Sequence, residues 1–410
     1  MSINKADTKA DIEAAPDREE AIASMEPLLV SDDSRHRGSL TDLSVDLVAK
    51  ASGFRRSLSP GIRVALATLV RAMNCYYSNL IEGHDTHPID IERALKSDYS
   101  ADPAKRDLQL EAQAHISVQS WIDEGHLAGR AVTQAGLREV HRRFCEKLPD
   151  DMLWVEEPTT HERTRVVPGE LRRQDVQVGR HVAVSPGALP RFFARFEMVY
   201  GRLGRTDAIL ATAAAHHRLL WIHPFTDGNG RVARLMSHAM FLDSLDTGGV
   251  WSVARGLARN VERYKMHLAA CDLPRRNDLD GRGNLSEEEL AAFTRFFLET
   301  AIDQVDFMEG LVQPDRLRAR ILLWAQEEVR LEALPPRAGN LLEALLYRGA
   351  LPRAEVADIL GVTARHARRI VAALGERGVL SSEGVRAPLT LAFPAALAGR
   401  WMPGLFPEKT

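Results

Sequence analysis

The sequence predicts a mainly α-helical protein that carries one small β-hairpin, and two patterns support this fold class. Apolar residues recur every three to four positions along several long stretches, which is typical of amphipathic helices packed on a core. The clearest stretches are residues 63–83, 107–122, 190–203, 206–222 and 231–245. After a Pro-Gly turn at residue 168, alternating valines predict an exposed hairpin; they are Val176, Val178, Val182 and Val184.

The composition of the whole chain sets further limits. A length of 410 residues exceeds what one compact core needs, so we expect two or three folded units. The formal net charge of -3 argues against non-specific coating of nucleic acid. The three cysteines, Cys75, Cys145 and Cys271, lack CxxC spacing and are predicted to be buried thiols of a reducing compartment.

Neither a membrane span nor a signal peptide is expected. No stretch approaches the roughly 18 uninterrupted apolar residues that a membrane helix needs. Residues 1–24 carry acids where a signal peptide has an apolar run, so we expect a cytoplasmic location. Residues 1–35 as a whole are polar and poor in aromatic side chains, which predicts a flexible segment.

Two local features concern the starts of helices. Thr206 or Asp207 is the expected cap of the helix over residues 206–222. The segment DLDGRGNLSEEE, residues 278–289, faintly resembles a calcium-binding EF-hand loop, but Arg282 stands where that loop needs an oxygen ligand. The mismatch favours a plain loop followed by a helix that Ser286 caps.

The C-terminal part of the chain begins a new unit at the proline pair 335–336. Residues 353–378 have the pattern of a helix, a tight turn at Gly361 and a second helix, and residues 379–394 have the pattern of a β wing. These elements resemble a winged helix-turn-helix. We assign this module residues 335–395, followed by a tail at 396–410.

The second helix of this module offers basic side chains to a DNA backbone or groove: Arg365, His366, Arg368 and Arg369. Residues 341–394 hold seven arginines but also five acids, so the surplus of positive charge is small. Modules of this kind often only pack or dimerise. DNA binding and simple packing therefore both stay open.

The segment HPFTDGNGRVAR, residues 223–234, combines residue types that ordinary helices and loops do not need together. Its Gly-Asn-Gly stands where a loop enters a helix. Glycines let the backbone approach a ligand, and a helix N-terminus offers free N–H groups to a phosphate. Arg231 and Arg234 lie three residues apart on one helical face and can grip neighbouring phosphoryl groups with forked donors.

Three more side chains complete this segment. Asp227, beside bound phosphates, is a natural Mg²⁺ ligand. His223 titrates near neutrality and can accept a proton from an attacking hydroxyl. Phe225 is expected to anchor the loop in the core. Each residue alone has an ordinary structural explanation, but their order within twelve residues favours chemistry on phosphate.

The same twelve residues resemble the signature of the Fic family, HxFx(D/E)GNGRxxR, without a departure. The resemblance implies a compact helical bundle that binds ATP with Mg²⁺ and transfers AMP to a target hydroxyl. It implies that His223 is the general base and that Asp227 holds Mg²⁺. The amides of Gly228 to Gly230, with Asn229, would form an anion hole.

The resemblance also implies roles for the arginines and the hairpin. Arg231 would bind phosphate, and Arg234 would hold the γ-phosphate so that the α-phosphorus faces the nucleophile. The hairpin resembles the family's flap, on which a target segment docks as an added strand. The flap residues expected near the nucleotide are Val176, Gln177, Val178 and Gly179.

Recognition of the adenine base is less settled. Tyr264 stands where relatives often place a tyrosine against the adenosine, although it could equally be a core residue. Some relatives use an asparagine about eight residues later, and this chain has Asp272 there. Selectivity for the base therefore stays open.

Residues 78–83, SNLIEG, resemble the inhibitory motif (S/T)xxxE(G/N) of the same family. Ser78 and Glu82 are four residues apart and hence on one helical face. The resemblance implies that Glu82 pairs with Arg234 in the place of the γ-phosphate and misaligns ATP. A carboxylate there could instead orient a water molecule that removes AMP from the modified target.

The sequence therefore predicts an autoinhibited protein adenylyltransferase acting on Ser, Thr or Tyr hydroxyls of a target protein, with ATP as substrate and Mg²⁺ as cofactor. The alternative is a DNA-binding regulator whose Fic domain only senses nucleotide. A target on the flap, a homodimer and DNA on the C-terminal module are the partners that this allows. The expected organisation is a helical region with the inhibitory helix at 36–105, a Fic core at 106–272 and a helical connector at 273–334.

Overall fold

The computed structural model describes residues 15–156 and 161–407. Most of these residues are helical, and the long helices follow the stretches of apolar periodicity. The helices are α1 (Arg37–Ser57), α2 (Pro60–Ile81), α3 (Pro88–Leu95), α4 (Pro103–Asp123), α5 (Gln134–Cys145), α6 (Leu189–Tyr200), α7 (Arg205–Ile222), α8 (Asn229–Leu245), α9 (Ala254–Arg259), α10 (Val261–Ala270), α11 (Glu287–Leu311), α12 (Pro314–Arg330), α13 (Ala338–Arg348), α14 (Val356–Leu360), α15 (Ala364–Glu376) and α16 (Ala398–Trp401).

Helices α7 and α8 form the centre of the bundle. Every residue of α7 from Ile209 to Leu219 is buried, and so is every residue of α8 from Arg231 to Phe241. A helix buried on all sides must be surrounded by others. Helices α1, α6 and α11 pack on α7, while α2, α4 and α5 pack on α8. The segment that joins the two central helices is therefore held from several directions.

The helix starts confirm one expected cap and correct another. The Ser286 side chain accepts a hydrogen bond from the Glu289 N–H at 3.1 Å and so caps α11, as predicted. The predicted cap at Thr206 or Asp207 is wrong, because α7 begins at Arg205 after Gly204. Asp207 instead forms an ion pair with Arg37 at the start of α1, an interaction that local sequence cannot reveal.

The loop before α11 uses its central acid internally. Asp280 is buried and accepts hydrogen bonds from the Ser286 hydroxyl and the Glu288 N–H, both at 2.8 Å. Among the described residues, no group of three or more His, Cys, Asp or Glu side chains is placed to hold a metal ion. The plain-loop interpretation therefore fits this segment better than the EF-hand.

Two small hairpins lie between α5 and α6. The predicted one pairs β3 (Gln177–Val178) with β4 (His181–Val182), and Val178 and Val182 are exposed as expected. The other pairs β1 (Trp154–Glu156) with β2 (Arg163–Arg165). The expectation of a single hairpin in this region is therefore wrong. The sequence did not reveal the second one because its strands are only three residues long and lack an apolar alternation.

The C-terminal unit combines helices with a small three-stranded sheet, and the winged helix-turn-helix stays a prediction. Strand β5 (Ala350–Leu351) follows α13, helices α14 and α15 meet at Gly361 with φ 59°, and β6 (Leu380–Ser381) and β7 (Leu389–Leu391) complete a sheet of order β5-β7-β6. This unit packs on α2, where the Tyr77 hydroxyl donates to the Leu405 carbonyl at 2.9 Å.

The start of the described chain lies against the bundle. Met25, Leu28 and Val30 are buried, and the Tyr200 hydroxyl donates to the Leu28 carbonyl at 2.7 Å. The prediction of a flexible segment over residues 1–35 is therefore wrong from residue 15 onward. Residues 1–14 lie outside the described residues. The segment is polar on average, but its few apolar side chains are the ones that pack against the bundle.

The three cysteines are free and buried, as predicted. Burial raises the pKa of Cys145 and of Cys271 to about 12, so neither is a reactive thiolate near neutral pH. Within the part of the chain that the structure describes, no helix is both long and apolar enough to cross a membrane.

Candidate active site

Two left-handed residues and one amide side chain shape the loop between α7 and α8. His223 ends α7 with φ 49°, and Gly228 precedes α8 with φ 79°. The Asn229 side chain closes the loop, because its Oδ1 accepts from the Phe225 N–H at 3.0 Å and its Nδ2 donates to the Phe225 carbonyl at 2.8 Å. The side chain of Asn229 is therefore used within the loop. Of its groups, only the backbone N–H, at the start of α8, can contribute to the predicted anion hole.

Phe225 anchors this loop in the core, as predicted. It is fully buried and stacks on the His141 ring of α5, with the ring centroids 4.0 Å apart. The Nδ1 atom of His141 accepts from the Gly169 N–H at 2.9 Å, so the neutral ring carries its proton on Nε2. Burial lowers the pKa of His141 to about 4 and keeps it neutral. This stack ties the loop to the Pro-Gly turn ahead of the flap.

The ring of His223 is oriented as a general base requires. Its Nδ1 lies 3.3 Å from the Leu220 carbonyl and donates to it, which leaves the Nε2 lone pair free to accept a proton. Burial lowers the pKa of His223 to about 4, so the imidazole is neutral at physiological pH. Arg172 fixes the backbone here, because its Nε donates to the His223 carbonyl at 2.7 Å.

Asp227 stands at the open side of the loop. It is exposed, and its carboxylate has no ion pair or hydrogen bond among the described residues. A cavity of about 80 Å³ adjoins it, lined also by Gly228, Arg231, Glu111 and His84. A free carboxylate next to phosphate-binding groups is a suitable ligand for Mg²⁺, which takes few protein oxygens and completes its shell with phosphate and water.

Arg234 is bound by both residues of the predicted inhibitory motif. Its Nε donates to the Ser78 hydroxyl at 2.8 Å, and Nη2 donates to the Ser78 carbonyl at 3.2 Å and forms an ion pair with Glu82. Burial alone would raise the pKa of Glu82, but the charge of Arg234 and its hydrogen bond outweigh it and hold the pKa below its usual value. The pairing of Glu82 with Arg234 is thus present.

The Glu82 carboxylate also lies against the first turn of α8. A side-chain carbon built on Gly230 would overlap Oε1 of Glu82 and would lie 3.1 Å from Nη1 of Arg234. The carboxylate therefore occupies the space in front of the helix N-terminus, where the helix dipole and the free N–H groups favour an anion. One local correction applies: Glu82 is the C-cap residue of α2, just beyond the helix that ends at Ile81.

Arg231 is paired with a second carboxylate, one that the sequence did not indicate. Its Nη2 forms an ion pair with Oε1 of Glu111, a buried residue of α4, and its guanidinium lies over the Phe144 ring at 5.4 Å. The other oxygen of Glu111 accepts from Nδ1 of His84 at 2.7 Å. Burial would raise the pKa of Glu111, but these cationic neighbours hold it below its usual value.

The hairpin β3–β4 lies beside the end of α7. The Nε2 atom of His181 is 2.7 Å from the Trp221 carbonyl, and the two rings lie 5.1 Å apart. The main chain of the hairpin closes through the Ala183 N–H, which donates to the Val176 carbonyl at 3.1 Å. Gln177 and Val178 are exposed, and Gly179 turns the chain with φ 61°. An exposed strand edge is thus placed next to His223, as a flap requires.

Comparison with known proteins agrees with this site. Residues 131–241, which include the whole motif, match the model of the Fic/DOC family. The chain carries a Fic domain. A curated Protein adenylyltransferase Fic from Culex quinquefasciatus is 35% identical over 173 residues, and one from Drosophila grimshawi is 28% identical over 196 residues.

These matches cover 41% and 46% of this chain, and 31% and 38% of the two relatives. The chain thus spans about a third of the length of the curated relatives that it matches. Among solved structures, a Fic family protein from Desulfovibrio desulfuricans G20 aligns at 16% identity with a TM-score of 0.48, over 85% of this chain and 96% of that one.

Tyr264 of the Fic-domain chain is a core residue, which was the second of its two predicted roles. It is buried, its hydroxyl lies 2.6 Å from Nε2 of His216, and burial raises its pKa to about 12. The ring is packed among aromatic side chains and its hydroxyl lies near Arg234, and its assignment to nucleotide binding stays a prediction. Asp272 lies 3.1 Å from Nε2 of His217 and is partly exposed.

Local sequence missed three residues that organise the Fic site: Arg172, Glu111 and His84. Arg172 is buried and binds the His223 carbonyl together with carbonyls at both ends of the hairpin, yet it is one of two adjacent arginines with no motif around it. Glu111 is an acid inside an amphipathic helix, and only its burial marks it as special. A cleft of about 1020 Å³ lies elsewhere and contains none of the motif residues.

Proposed function

We propose that this protein is an autoinhibited protein adenylyltransferase, which transfers AMP from ATP to a Ser, Thr or Tyr hydroxyl of a target protein or of itself. The observation that carries the proposal is that Arg234, the expected γ-phosphate ligand, is bound by Glu82 and Ser78 in the same site as a neutral His223. The Fic domain and the printed names of its adenylyltransferase relatives support the reaction type.

In the proposed reaction, the target hydroxyl oxygen forms a bond to the α-phosphorus of ATP. His223 accepts the hydroxyl proton on Nε2, and the bond between the α-phosphorus and the bridging oxygen breaks. Pyrophosphate leaves with that oxygen, so atoms and charge balance. A base helps when it is unprotonated at working pH, and burial ensures that for His223.

The protein's main contribution is to position and neutralise the phosphates. The N-terminal N–H groups of α8 face the anion, and Arg231, held by Glu111, presents its remaining donors to it. Asp227 would hold Mg²⁺, which when bound neutralises charge on the α- and β-phosphates. Arg234 would orient ATP through the γ-phosphate once Glu82 has left.

Autoinhibition follows from competition for Arg234. As long as the Glu82 carboxylate is paired with the Arg234 guanidinium, it repels the γ-phosphate. ATP then cannot bind with its α-phosphorus in line with the attacking hydroxyl. A contact worth about 1.4–2.8 kcal/mol would lower productive binding roughly 10- to 100-fold. The same carboxylate could orient a water molecule that removes AMP from a modified target, and we rank this second activity below the first.

The test uses ATP labelled at the α-phosphate with wild type, Glu82→Gly and His223→Ala. We expect Glu82→Gly to raise AMP transfer or self-modification about 10- to 100-fold, because Arg234 becomes free for the γ-phosphate. We expect His223→Ala, alone and combined with Glu82→Gly, to abolish it. Label that arrives only from the γ-phosphate would show a kinase instead, and equal activity of Glu82→Gly and wild type across several targets would refute autoinhibition.

A DNA-binding regulator that uses the Fic domain as a nucleotide sensor is the second candidate. It is favoured by α15, whose side chains Arg365, Arg368 and Arg369 are exposed on the helix that would enter a major groove. A sensor has no use for a base with a free Nε2, so we rank it below the enzyme. Sequence-specific, salt-dependent DNA binding that survives His223→Ala, without AMP transfer by Glu82→Gly, would reverse this order.

A further inference from the structure

The turn that follows α2 sends two side chains into the site. Glu82 reaches Arg234, and His84, two residues later, reaches Glu111 on α4. Gly83 between them has φ 89°, and the main chain of the turn bonds back to the end of α2 through the His84 N–H and the Asn79 carbonyl at 2.9 Å. Besides its bond to the end of α2, the turn is therefore attached to α8 through Glu82 and to α4 through His84.

The attachment through Glu111 is a fixed one. Glu111 lies in the middle of α4 and is buried, and its two oxygens bind two different cations, Arg231 and His84. Because the Glu111 carboxylate only accepts hydrogen bonds, Nδ1 of His84 must carry the proton that joins them. Nη2 of Arg231 is 3.4 Å from that same Nδ1. A protonated Nδ1 has no lone pair to accept a hydrogen bond from Nη2, so in this tautomer Arg231 is attached to the group through its ion pair with Glu111.

We propose that His84 is a positioning residue for autoinhibition: by binding Glu111 it holds the turn after α2 against α4 and so keeps Glu82 on Arg234. The proposal rests on the proposed function, because it concerns how the same inhibitory contact is maintained. Glu111 then has two tasks, since it also orients Arg231. The two phosphate arginines and the inhibitory turn become one connected group of charges.

The surroundings of His84 support this role. Three charged groups face it: Glu111 from α4, Arg231 from α8 and Glu82 from its own turn. The hydrogen bond to Glu111 raises the pKa of His84 more than burial lowers it, which favours the charged form of the ring, the stronger hydrogen-bond donor. The His84 side chain is 42% exposed, so water weakens the bond, and its loss should release the turn without unfolding the bundle.

The first experiment compares AMP transfer by wild type, His84→Ala, Glu82→Gly and the double variant, using α-labelled ATP. We expect His84→Ala to raise activity about 3- to 10-fold and to add nothing to Glu82→Gly, since there is then no carboxylate to position. Provided that Glu82→Gly is active, an equal gain in both backgrounds, or no gain from His84→Ala over wild type, would overturn the proposal. His126→Ala removes another exposed histidine that lies beside a glutamate, and it should match wild type.

A conservative variant separates the hydrogen bond from the bulk of the ring. His84→Asn keeps an N–H donor near the position of Nδ1, so we expect its activity to stay within about twofold of wild type. Release of activity as large as in His84→Ala would contradict a role for the bond to Glu111. Thermal unfolding of each variant checks that the fold is intact.

ATP affinity decides the proposal even if no variant transfers AMP. In a His223→Ala background, calorimetry should show that His84→Ala binds ATP about 3- to 10-fold more tightly, because Glu82 competes less for Arg234. The affinity for ADP, which lacks the γ-phosphate, should change less than twofold. Identical ATP affinity with and without His84 would reject the positioning role, whereas failure of Glu82→Gly to transfer AMP would reject only the proposed function.

Discussion

Two arginines of one helix turn are each paired with a glutamate, and the two glutamates differ in how they are held. Glu111, the partner of Arg231, sits inside α4 with a side chain that is 2% exposed. Glu82, the partner of Arg234, sits just past the end of α2 with a side chain that is 32% exposed. The two ion pairs join the same chemical groups, but Glu82 on its turn is freer to move than Glu111 within its helix.

This difference assigns the two pairs different tasks. A carboxylate inside a packed helix cannot leave without exposing a buried, unpaired arginine, so Glu111 stays in place when a phosphate arrives. A carboxylate on a turn leaves by a change in a few backbone angles, and water replaces it. In the proposed function, Glu111 would therefore orient the arginine that binds a phosphate ligand, while Glu82 would compete with the phosphate itself.

The variant Glu111→Leu tests the difference between the two glutamates most directly, because it has the largest expected effect on stability. It leaves the buried charge of Arg231 unpaired and should lower the free energy of unfolding by about 3–5 kcal/mol. Glu82→Gly should lower it by no more than about 2 kcal/mol, because the partly exposed Glu82 leaves a space that water can fill and Ser78 still binds Arg234. Urea denaturation of both variants measures the two losses.

A double variant serves as the matched control for that loss. Glu111→Leu with Arg231→Leu replaces both charges by apolar side chains, so most of the lost stability should return. If the double variant is as unstable as Glu111→Leu alone, then packing around α4, and not the unpaired charge of Arg231, explains the loss.

The pH dependence of activity gives a second test, with an effect of intermediate size. The pKa values of Glu82 and Glu111 are held below their usual range, and that of His223 is lowered to about 4, so none of the three changes charge between pH 8 and pH 5.5. We expect kcat/KM of Glu82→Gly to stay constant over this range and to fall only with a midpoint near pH 4, where the base becomes protonated.

The wild type measured in parallel should be at least as strongly inhibited at pH 5.5 as at pH 8, because Glu82 remains ionised and protonation of His84 strengthens its bond to Glu111. A base with an ordinary histidine pKa would instead lose about tenfold in rate by pH 5.5. Such a loss in Glu82→Gly, with circular dichroism unchanged, would contradict the desolvated base.

The smallest expected effect concerns Gly230, which lies against Glu82 and in the first turn of α8. In the Glu82→Gly background, Gly230→Ala should raise the free energy of unfolding by about 0.5–1 kcal/mol, the usual gain for alanine over glycine in a helix. With Glu82 present the gain should vanish, because the new carbon would overlap Oε1. A double-mutant cycle of unfolding free energies measures this coupling, and equal effects in both backgrounds would place Glu82 elsewhere.

Much of the site was predictable because its determinants are close in the chain. The loop from His223 to Arg234 carries its histidine, its Gly-Asn-Gly turn and its helix start within twelve residues, and the structure has the turn and the helix start where they were predicted. The four-residue spacing predicted that Ser78 and Glu82 share one helical face, and the family resemblance implied the pair of Glu82 with Arg234, which the structure contains. The contact of Ser78 with Arg234 was not predicted.

The errors arose where a distant segment decides the environment. Residues 15–35 are polar on average, but Met25 and Leu28 fill gaps on the bundle surface. The two predicted roles of Tyr264, nucleotide contact or core residue, could not be separated from the sequence, and it is the packing of α11 that buries its ring. Composition and spacing contain no information about which surface will cover such a residue.

Local backbone preferences and short side-chain spacings were thus sufficient for the helices, the anion-binding loop and the order of groups along it. The partners of the two arginines were decided by the packing of α2 and α4 on α8. Arg231 and Arg234 are three residues apart, hence on nearly the same face, and periodicity alone cannot say which neighbouring helix each one meets. That choice placed a movable carboxylate on Arg234 and a fixed one on Arg231, because a turn end faces the first and a helix interior faces the second.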